Sequence, residues 1–358
     1  MKINIRKDRM TKDERWLAML NRQPLDRIPV HGFAQGFSAV HCGLTIAEVY
    51  NKPEKAFGAI TKTSAKFGWQ DLPMISYASM GGWEFGGDIK WPSSEFGQAP
   101  TVVRFPVKSE EDIDNLQVPD VKKAGIIPLM MEVSKLQEQS GAALIECVSL
   151  GPWSLAGNIA GIETICRWCL KKPVLVHKLE KKVLPFSVAV IRYWKDTFGV
   201  DRVLPWVGGS AAASNQLISP KIFEQFVLPY MEQLYDEVHA MGFKHIFMHI
   251  CGEQNANLPF WSRLNYGDPG IISMGHEVEL ENAAKYFPGN IIMGNIEPAI
   301  LLTETPEEVY QATRAVIEKG KKCAGGFMLA PGCEMGPKTP EDNIWAMMQA
   351  VSDFGWYE

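Results

Sequence analysis

From about residue 142 onward, short apolar runs alternate with longer amphipathic stretches. Runs at 142–148, 203–207, 244–249, 270–274, 290–293 and 326–329 have strand length and composition. The stretches between them carry helix punctuation. Ser219-Pro220 opens a helix whose pattern runs to Gly242, with a kink predicted at Pro229. Thr305-Pro306-Glu307-Glu308 opens another that ends near Gly320. Thr339-Pro340-Glu341-Asp342 opens the last, with Ile344, Met347, Met348 and Val351 on its apolar face. Near the start, Thr11-Lys12-Asp13-Glu14 forms a capping box ahead of Trp16, Leu17 and Leu20, and this helix ends near Arg22-Gln23-Pro24. Ile28-Pro29-Val30 is a candidate first strand. The stretch 33–107 has no such order and is rich in Gly, Met and aromatic residues, among them Phe37, Trp69, Tyr77, Trp83, Phe85 and Trp91. Long irregular segments inside compact enzymes serve as lids or pocket walls.

Strands spaced by helices imply a parallel sheet, either open or closed into a barrel. No Gly-x-Gly-x-x-Gly or P-loop pattern follows an early strand, so nucleotide binding has no support. The expected fold is therefore an α/β (β/α)8 TIM barrel in one domain over 1–358. Residues 1–27 would be an N-terminal helical and irregular extension, and 33–107 a lid and pocket-wall insert.

The chain has 358 residues, 46% apolar and 22% charged, enough to bury a substantial core. A net charge of -5 and the lack of a Lys/Arg stripe give no footprint for nucleic acid. Lys171-Lys172 and Lys181-Lys182 read as solvated helix surface. No apolar run reaches the length of a membrane span, and the first residues lack a signal peptide's apolar core, so a cytoplasmic protein is expected. Seven cysteines, an odd count in a chain this long, argue for reduced thiols.

The most informative chemistry lies in His249-Ile250-Cys251-Gly252 and in Ala330-Pro331-Gly332-Cys333-Glu334. Residues two apart in extended backbone face one side, so His249 and Cys251 can turn toward one ion. Cys333 follows another strand, and in a barrel both strand ends open onto the face that carries active sites. Imidazole and thiolate are ligands that zinc prefers, and three of them leave a position for substrate. The bland alternative is a small buried hydrophobe beside a histidine satisfied by backbone. Cys166 and Cys169 have helical flanks and no second pair to complete a cage, and Cys42, Cys147 and Cys323 read as structural. Glu237-Val238-His239-Ala240-Met241-Gly242 nearly matches an Asp-x-His-x-x-Gly cobalamin signature, but it ends a helix and reads as a C-cap. Glu146 and Glu297 lie in or just after strands, with structural roles slightly ahead. Asn295 is placed to hydrogen-bond a substrate oxygen. His276 or Glu277 could supply a fourth metal ligand.

These residues resemble the uroporphyrinogen decarboxylase-like superfamily, and within it the zinc-dependent, corrinoid-protein-linked methyltransferases. The resemblance spans nearly the whole chain. It rests on Asp26-Arg27-Ile28-Pro29-Val30, Gly151-Pro152-Trp153-Ser154 with Gly161, Leu217-Ile218-Ser219-Pro220 and Pro229-Tyr230. It continues through His249-Ile250-Cys251-Gly252, Gly294-Asn295-Ile296, Pro331-Gly332-Cys333 and Thr339-Pro340-Glu341-Asp342-Asn343. It implies a (β/α)8 barrel with an N-terminal extension and zinc on His249, Cys251 and Cys333. Decarboxylases of the superfamily grip a tetrapyrrole with an N-terminal arginine-rich signature. Here Pro29-Val30 is followed by His31-Gly32-Phe33-Ala34-Gln35-Gly36-Phe37, with no arginine until Arg104. Ser273-Met274-Gly275-His276 is a departure, since the resemblance leads one to expect an acidic residue near that strand end.

The expectation is methyl transfer between a small substrate and the cobalt of a corrinoid (cobalamin) on a separate protein, since this chain has no cobalamin module of its own. Zinc would act as a Lewis acid. Aromatic side chains at Phe33, Phe37 and Trp206 favour a phenyl methyl ether as methyl donor, that is, O-demethylation. Transfer to a thiol of the coenzyme M type is the alternative. A metal-independent decarboxylase-like lyase and a non-catalytic docking protein with a structural zinc are the competing classes.

Overall fold

The structure, a computed structural model, describes residues 3–94, 97, 99–208 and 211–357. Six strands form one parallel sheet in sequence order: β3 Ile145–Leu150, β4 Val203–Gly208, β5 Phe247–Ile250, β6 Ile271–Met274, β7 Ile291–Ile296 and β8 Phe327–Pro331. Helices cover them from outside, and every residue of β3, β5, β6 and β8 is buried. That coverage is why these runs are mainly apolar rather than alternating, with Glu146, Ser149, His249 and Ser273 as buried exceptions. The only other ladder among the described residues is an antiparallel hairpin of β1 Asp88–Lys90 and β2 Thr101–Arg104.

Two shorter stretches fill the remaining barrel positions. Val30 bridges Leu329 in parallel, with Leu329 N–H donating to Pro29 O at 2.9 Å and His31 N–H to Leu329 O at 2.8 Å. Gln70 N–H then donates to Val30 O at 2.6 Å, which lays the next stretch beside the first. Pro29 has no N–H to give a ladder, so this first strand stays a bridge. The fold is the (β/α)8 barrel expected from the alternation of strands and helices.

The helix signals are realised with two differences. Thr11 and Thr305 close full capping boxes on Lys12–Leu20 and Pro306–Gly320. Ser219 caps the next helix as expected. The disturbance around Pro229 takes the form of a π-helical stretch, Phe223–Val227, between the turn Pro220–Ile222 and the helix Leu228–Ala240. Proline cannot donate to the preceding turn, and a wider turn ahead of it absorbs the mismatch. At the last helix, Glu341–Phe354, the cap position is held by Pro340, and Thr339 makes no capping bond. Residues 33–107 are more ordered than their composition suggested. Helices Gln35–His41, Ile46–Asn51 and Pro53–Phe67 pack there ahead of the hairpin.

The segment before the barrel is pinned by a buried ion pair. Arg15 donates through Nε and Nη2 to the Asp26 carboxylate, both at 2.8 Å, and the Arg9 and Met10 N–H groups donate to the same carboxylate. Among the described residues no helix is long and apolar enough to cross a membrane.

Candidate metal centre

The site is built at the C-terminal ends of β5, β6 and β8. Side chains alternate along a strand, so Phe247 and His249 of β5 share the barrel interior, and Cys251 continues that face. Gly252 then turns the chain with φ of +76°, a left-handed conformation that glycine adopts without cost. From the end of β8, Cys333 reaches the same place. Its Sγ lies 3.5 Å from Cys251 Sγ, although the two residues are 82 positions apart. One donor atom each from His249, Cys251 and Cys333 falls within 4.8 Å of the others. His249 is buried and the two cysteines are half-buried.

The loops around this cluster are packed backbone to backbone. A Cβ on Gly332 would stand 2.6 Å from His276 N, and one on Gly275 would stand 2.9 Å from Gly252 N. Only glycine fits at such contacts, so the loops after β5, β6 and β8 are locked together around the thiols.

Ser273 fixes the imidazole. In the β5–β6 ladder His249 lies directly opposite Ser273, and His249 Nδ1 is 2.9 Å from Ser273 Oγ. When Nδ1 carries its hydrogen toward the hydroxyl, Nε2 is left as a lone-pair donor for a cation. The two thiols shift each other in opposite directions. The contact with Cys251 holds the Cys333 thiol well below the ordinary thiol range. The same contact, aided by burial, pushes Cys251 up. The arrangement is a soft, partly deprotonated donor set of two sulfurs and one nitrogen. It fits a zinc-like cation and leaves room for a further ligand.

The other expected site residues divide. Phe33 and Trp206 do line the centre: the Phe33 ring stands edge-on to His249 with centroids 5.0 Å apart, and Trp206 lies 5.3 Å from Phe33 and 6.5 Å from His249. Trp206 is itself stacked on Phe247 at 4.7 Å. Phe33 adopts φ of +46°, and the Asp71 carboxylate holds it there by accepting the N–H groups of Gly32 and Phe33. Phe37 faces elsewhere, stacked on His41 and packed against Phe67 and Trp69. Asn295 does not offer its amide to a substrate. Its Nδ2 donates to Gly275 O at 3.0 Å and Val278 O at 2.6 Å, tying down the loop after β6. His276 and Glu277 ride on that loop, outside the group of three. His276 Nδ1 is 3.5 Å from Glu277 Oε2, and its Nε2 is 3.9 Å from Glu297 Oε1.

Glu146 lies deeper in the barrel, two residues before Val148, the partner of Trp206 in the β3–β4 ladder. That places it about 7 Å further from the mouth. Burial pushes its carboxyl well above the usual range. His239 is structural, with its two ring nitrogens against the Phe243 and Asn265 carbonyls. Sequence reasoning missed Ser273 and Asp71 as organisers of the site. Ser273 had left a trace, as the one polar residue in an otherwise apolar strand.

The sequence model of the family described as Uroporphyrinogen decarboxylase (URO-D) matches residues 11–354. Among curated proteins, the chain is 26% identical to the methylcobamide:CoM methyltransferase MtbA of Methanosarcina acetivorans, over 96% of this chain and 98% of that protein. It is 23% identical to a uroporphyrinogen decarboxylase of Anaeromyxobacter dehalogenans, over 96% of this chain and 99% of the other. Among solved structures, a methyltransferase from Methanosarcina mazei superposes with a TM-score of 0.81 at 21% identity, covering 96% of this chain and 99% of that one. The last likeness shows the barrel fold.

Proposed function

The chain belongs to the uroporphyrinogen decarboxylase (URO-D) family, and within it we propose that this protein is a methyltransferase, moving a methyl group between a small substrate and the cobalt of a corrinoid on a separate protein. The observation that carries this reading is the convergence of His249, Cys251 and Cys333 from two distant strand ends. Decarboxylation within a tetrapyrrole cavity has no use for two sulfur donors at the mouth. The MtbA relative, matched end to end, supports the corrinoid reading by its printed name.

His249, Cys251 and Cys333 would hold a zinc ion, with Ser273 orienting the imidazole. Glu277 is the better candidate for a fourth ligand in the resting state. Its Oε2 is buried without a hydrogen-bond partner among the described residues, and its charge bears on Cys251. His276, more exposed, is held between Glu277 and Glu297. A zinc ion at this position supplies Lewis acidity, which stabilises negative charge on the heteroatom that gives up or accepts the methyl group. Phe33 and Trp206, whose rings lie beside His249, would make that side of the site apolar. A phenyl methyl ether suits that side as methyl donor. Transfer to a thiol is the second reading, favoured by the relative's name.

The test is spectral. The metal-loaded protein is mixed with cob(I)alamin and a panel of phenyl ethers, methanol, methylamines and methyl thiols, and formation of methylcobalamin is followed. The proposal expects methylation from at least one class of donor, lost on chelation of the metal. Methylation that persists in the metal-free protein would refute it.

A further inference from the structure

The helix Pro173–Phe198 is longer than the barrel needs. Ser187 fixes its height against the sheet, because its Oγ donates to Leu150 O at 2.7 Å and Leu150 is the last residue of β3. Pro173 lies fourteen residues before Ser187, so the helix runs on for about 20 Å past the strand end. Its 26 residues compare with 13, 15 and 14 in Leu228–Ala240, Pro306–Gly320 and Glu341–Phe354. The excess covers no strand. It raises a wall on one side of the mouth, the face that carries the donor cluster. On this wall His177 meets Phe226, with ring centroids 4.7 Å apart, and the Tyr230 hydroxyl at 2.9 Å. About one turn nearer the tips of these two helical stretches come Val174 and Lys221.

The tip is both apolar and cationic. Leu170 and Val174 are 77% and 72% exposed, more than any other large apolar side chain among the described residues. They flank the turn at Lys172 that joins Ile162–Lys171 to the long helix. Arg167, Lys171 and Lys172 are exposed beside them, and Lys221 is exposed on the neighbouring tip. No acidic residue occurs between Glu163 and Glu180, and Glu180 is buried. Lys178, further down the helix, pairs with Glu110 and Asp114, whereas these four cations meet no carboxylate among the described residues. The long helix also starts without a side-chain cap, so the positive end of its dipole adds to the lysines. In a chain of net charge -5 this is a local excess of the opposite sign.

We propose that this tip is the docking surface for the separate corrinoid protein, which meets it with a face of apolar centre and acidic rim. The inference rests on the methyltransferase reading and adds the surface that brings cobalt over the mouth. Carboxylates of the partner face the four cations, and an apolar side chain seats against Leu170 and Val174. A second copy of this chain is a poor occupant, since a two-fold contact sets the same cations against each other. A membrane surface needs a longer apolar stripe than two side chains.

The test compares protein-bound with free corrinoid. The corrinoid protein is purified from the source organism by its visible spectrum, and its affinity for the zinc-loaded enzyme is measured by calorimetry. Two double variants are used, Lys171→Glu with Lys172→Glu, and Leu170→Ser with Val174→Ser. Each should weaken binding at least about tenfold, and wild-type affinity should fall as salt rises. In turnover each should raise KM for the corrinoid protein by a similar factor, with kcat and KM for free cob(I)alamin within about twofold of wild type. A wild type that does not bind the corrinoid protein, unchanged affinity in either variant, or equal loss with free cob(I)alamin overturns the inference. So does a wild-type dimer in sedimentation that either variant dissociates, or wild-type binding to phosphatidylserine vesicles that either variant abolishes. Should the wild type methylate no corrinoid from any donor, the methyltransferase reading fails, and the affinities still decide the docking surface.

Discussion

The helix Ile162–Lys171 and the barrel mouth each hold two cysteines, in opposite relation to the chain. Cys166 and Cys169 are three residues apart, on one face of a helix, with no third metal-ligating side chain grouped with them among the described residues. Cys251 and Cys333 are 82 residues apart, yet their sulfurs lie 3.5 Å from each other beside His249. Their electrostatics differ as well. Burial pushes Cys169 up to about 12, whereas the hydrogen bond from Cys251 pulls Cys333 down. Closeness in sequence built no site here, and barrel topology did. A parallel barrel brings the residue after every strand to one rim, so distant thiols meet whenever each follows a strand.

The sharpest way to break this contrast is to exchange serine for each thiol. Cys251→Ser and Cys333→Ser should each take bound zinc from one per chain to a small fraction and lower methyl transfer about a hundredfold or more. Cys166→Ser and Cys169→Ser should leave both within about twofold. Metal analysis by mass spectrometry and the cobalamin assay read the outcome. Equal losses at both pairs would erase the distinction.

A smaller effect is expected one step removed from the ligands. Ser273→Ala should weaken zinc binding about 10- to 100-fold in competition with a chelator, the usual cost of losing the partner of a ligating histidine. Ser273→Thr, which keeps the hydroxyl, should recover most of it. A Ser273→Ala protein with unchanged affinity would mean that packing alone aims His249.

The mildest test uses the thiols as they stand. In the metal-free protein the contact with Cys251 lowers Cys333 and favours its thiolate, whereas burial raises Cys169 to about 12 and disfavours it. Iodoacetamide should therefore label Cys333 at least about tenfold faster than Cys169, and zinc should abolish that lead. Peptide mapping against time would show it. Faster labelling at Cys169 would place the reactive thiol in the wrong region.

The same contrast explains what the sequence could disclose. The six long strands were legible because burial on both faces leaves runs that are mainly apolar. The stretch at Gln70 was not legible, because its place beside Val30 rests on a single backbone bond and no pattern. His249 and Cys251 could be paired from the alternation of a strand, and Cys333 from its matching position after another. Ser273 and Asp71 could not be assigned, since their roles depend on which residue stands opposite in the folded ladder or loop. Phe37 and Asn295 failed for a related reason. Residue type gives the chemistry available, but the direction of the side chain decides who receives it. Phe37 turned toward Phe67, and Asn295 spent its amide on a neighbouring loop.

X-ray absorption at the zinc edge of the purified protein tests the central claim most directly. The account predicts one zinc per chain with two sulfur neighbours at about 2.3 Å and at least one nitrogen at about 2.0 Å, the remainder of the shell being light atoms. Loss of one sulfur neighbour in Cys333→Ser would follow wherever metal is retained. A shell of oxygen and nitrogen alone, or a protein that binds no metal with both thiols reduced, would contradict it.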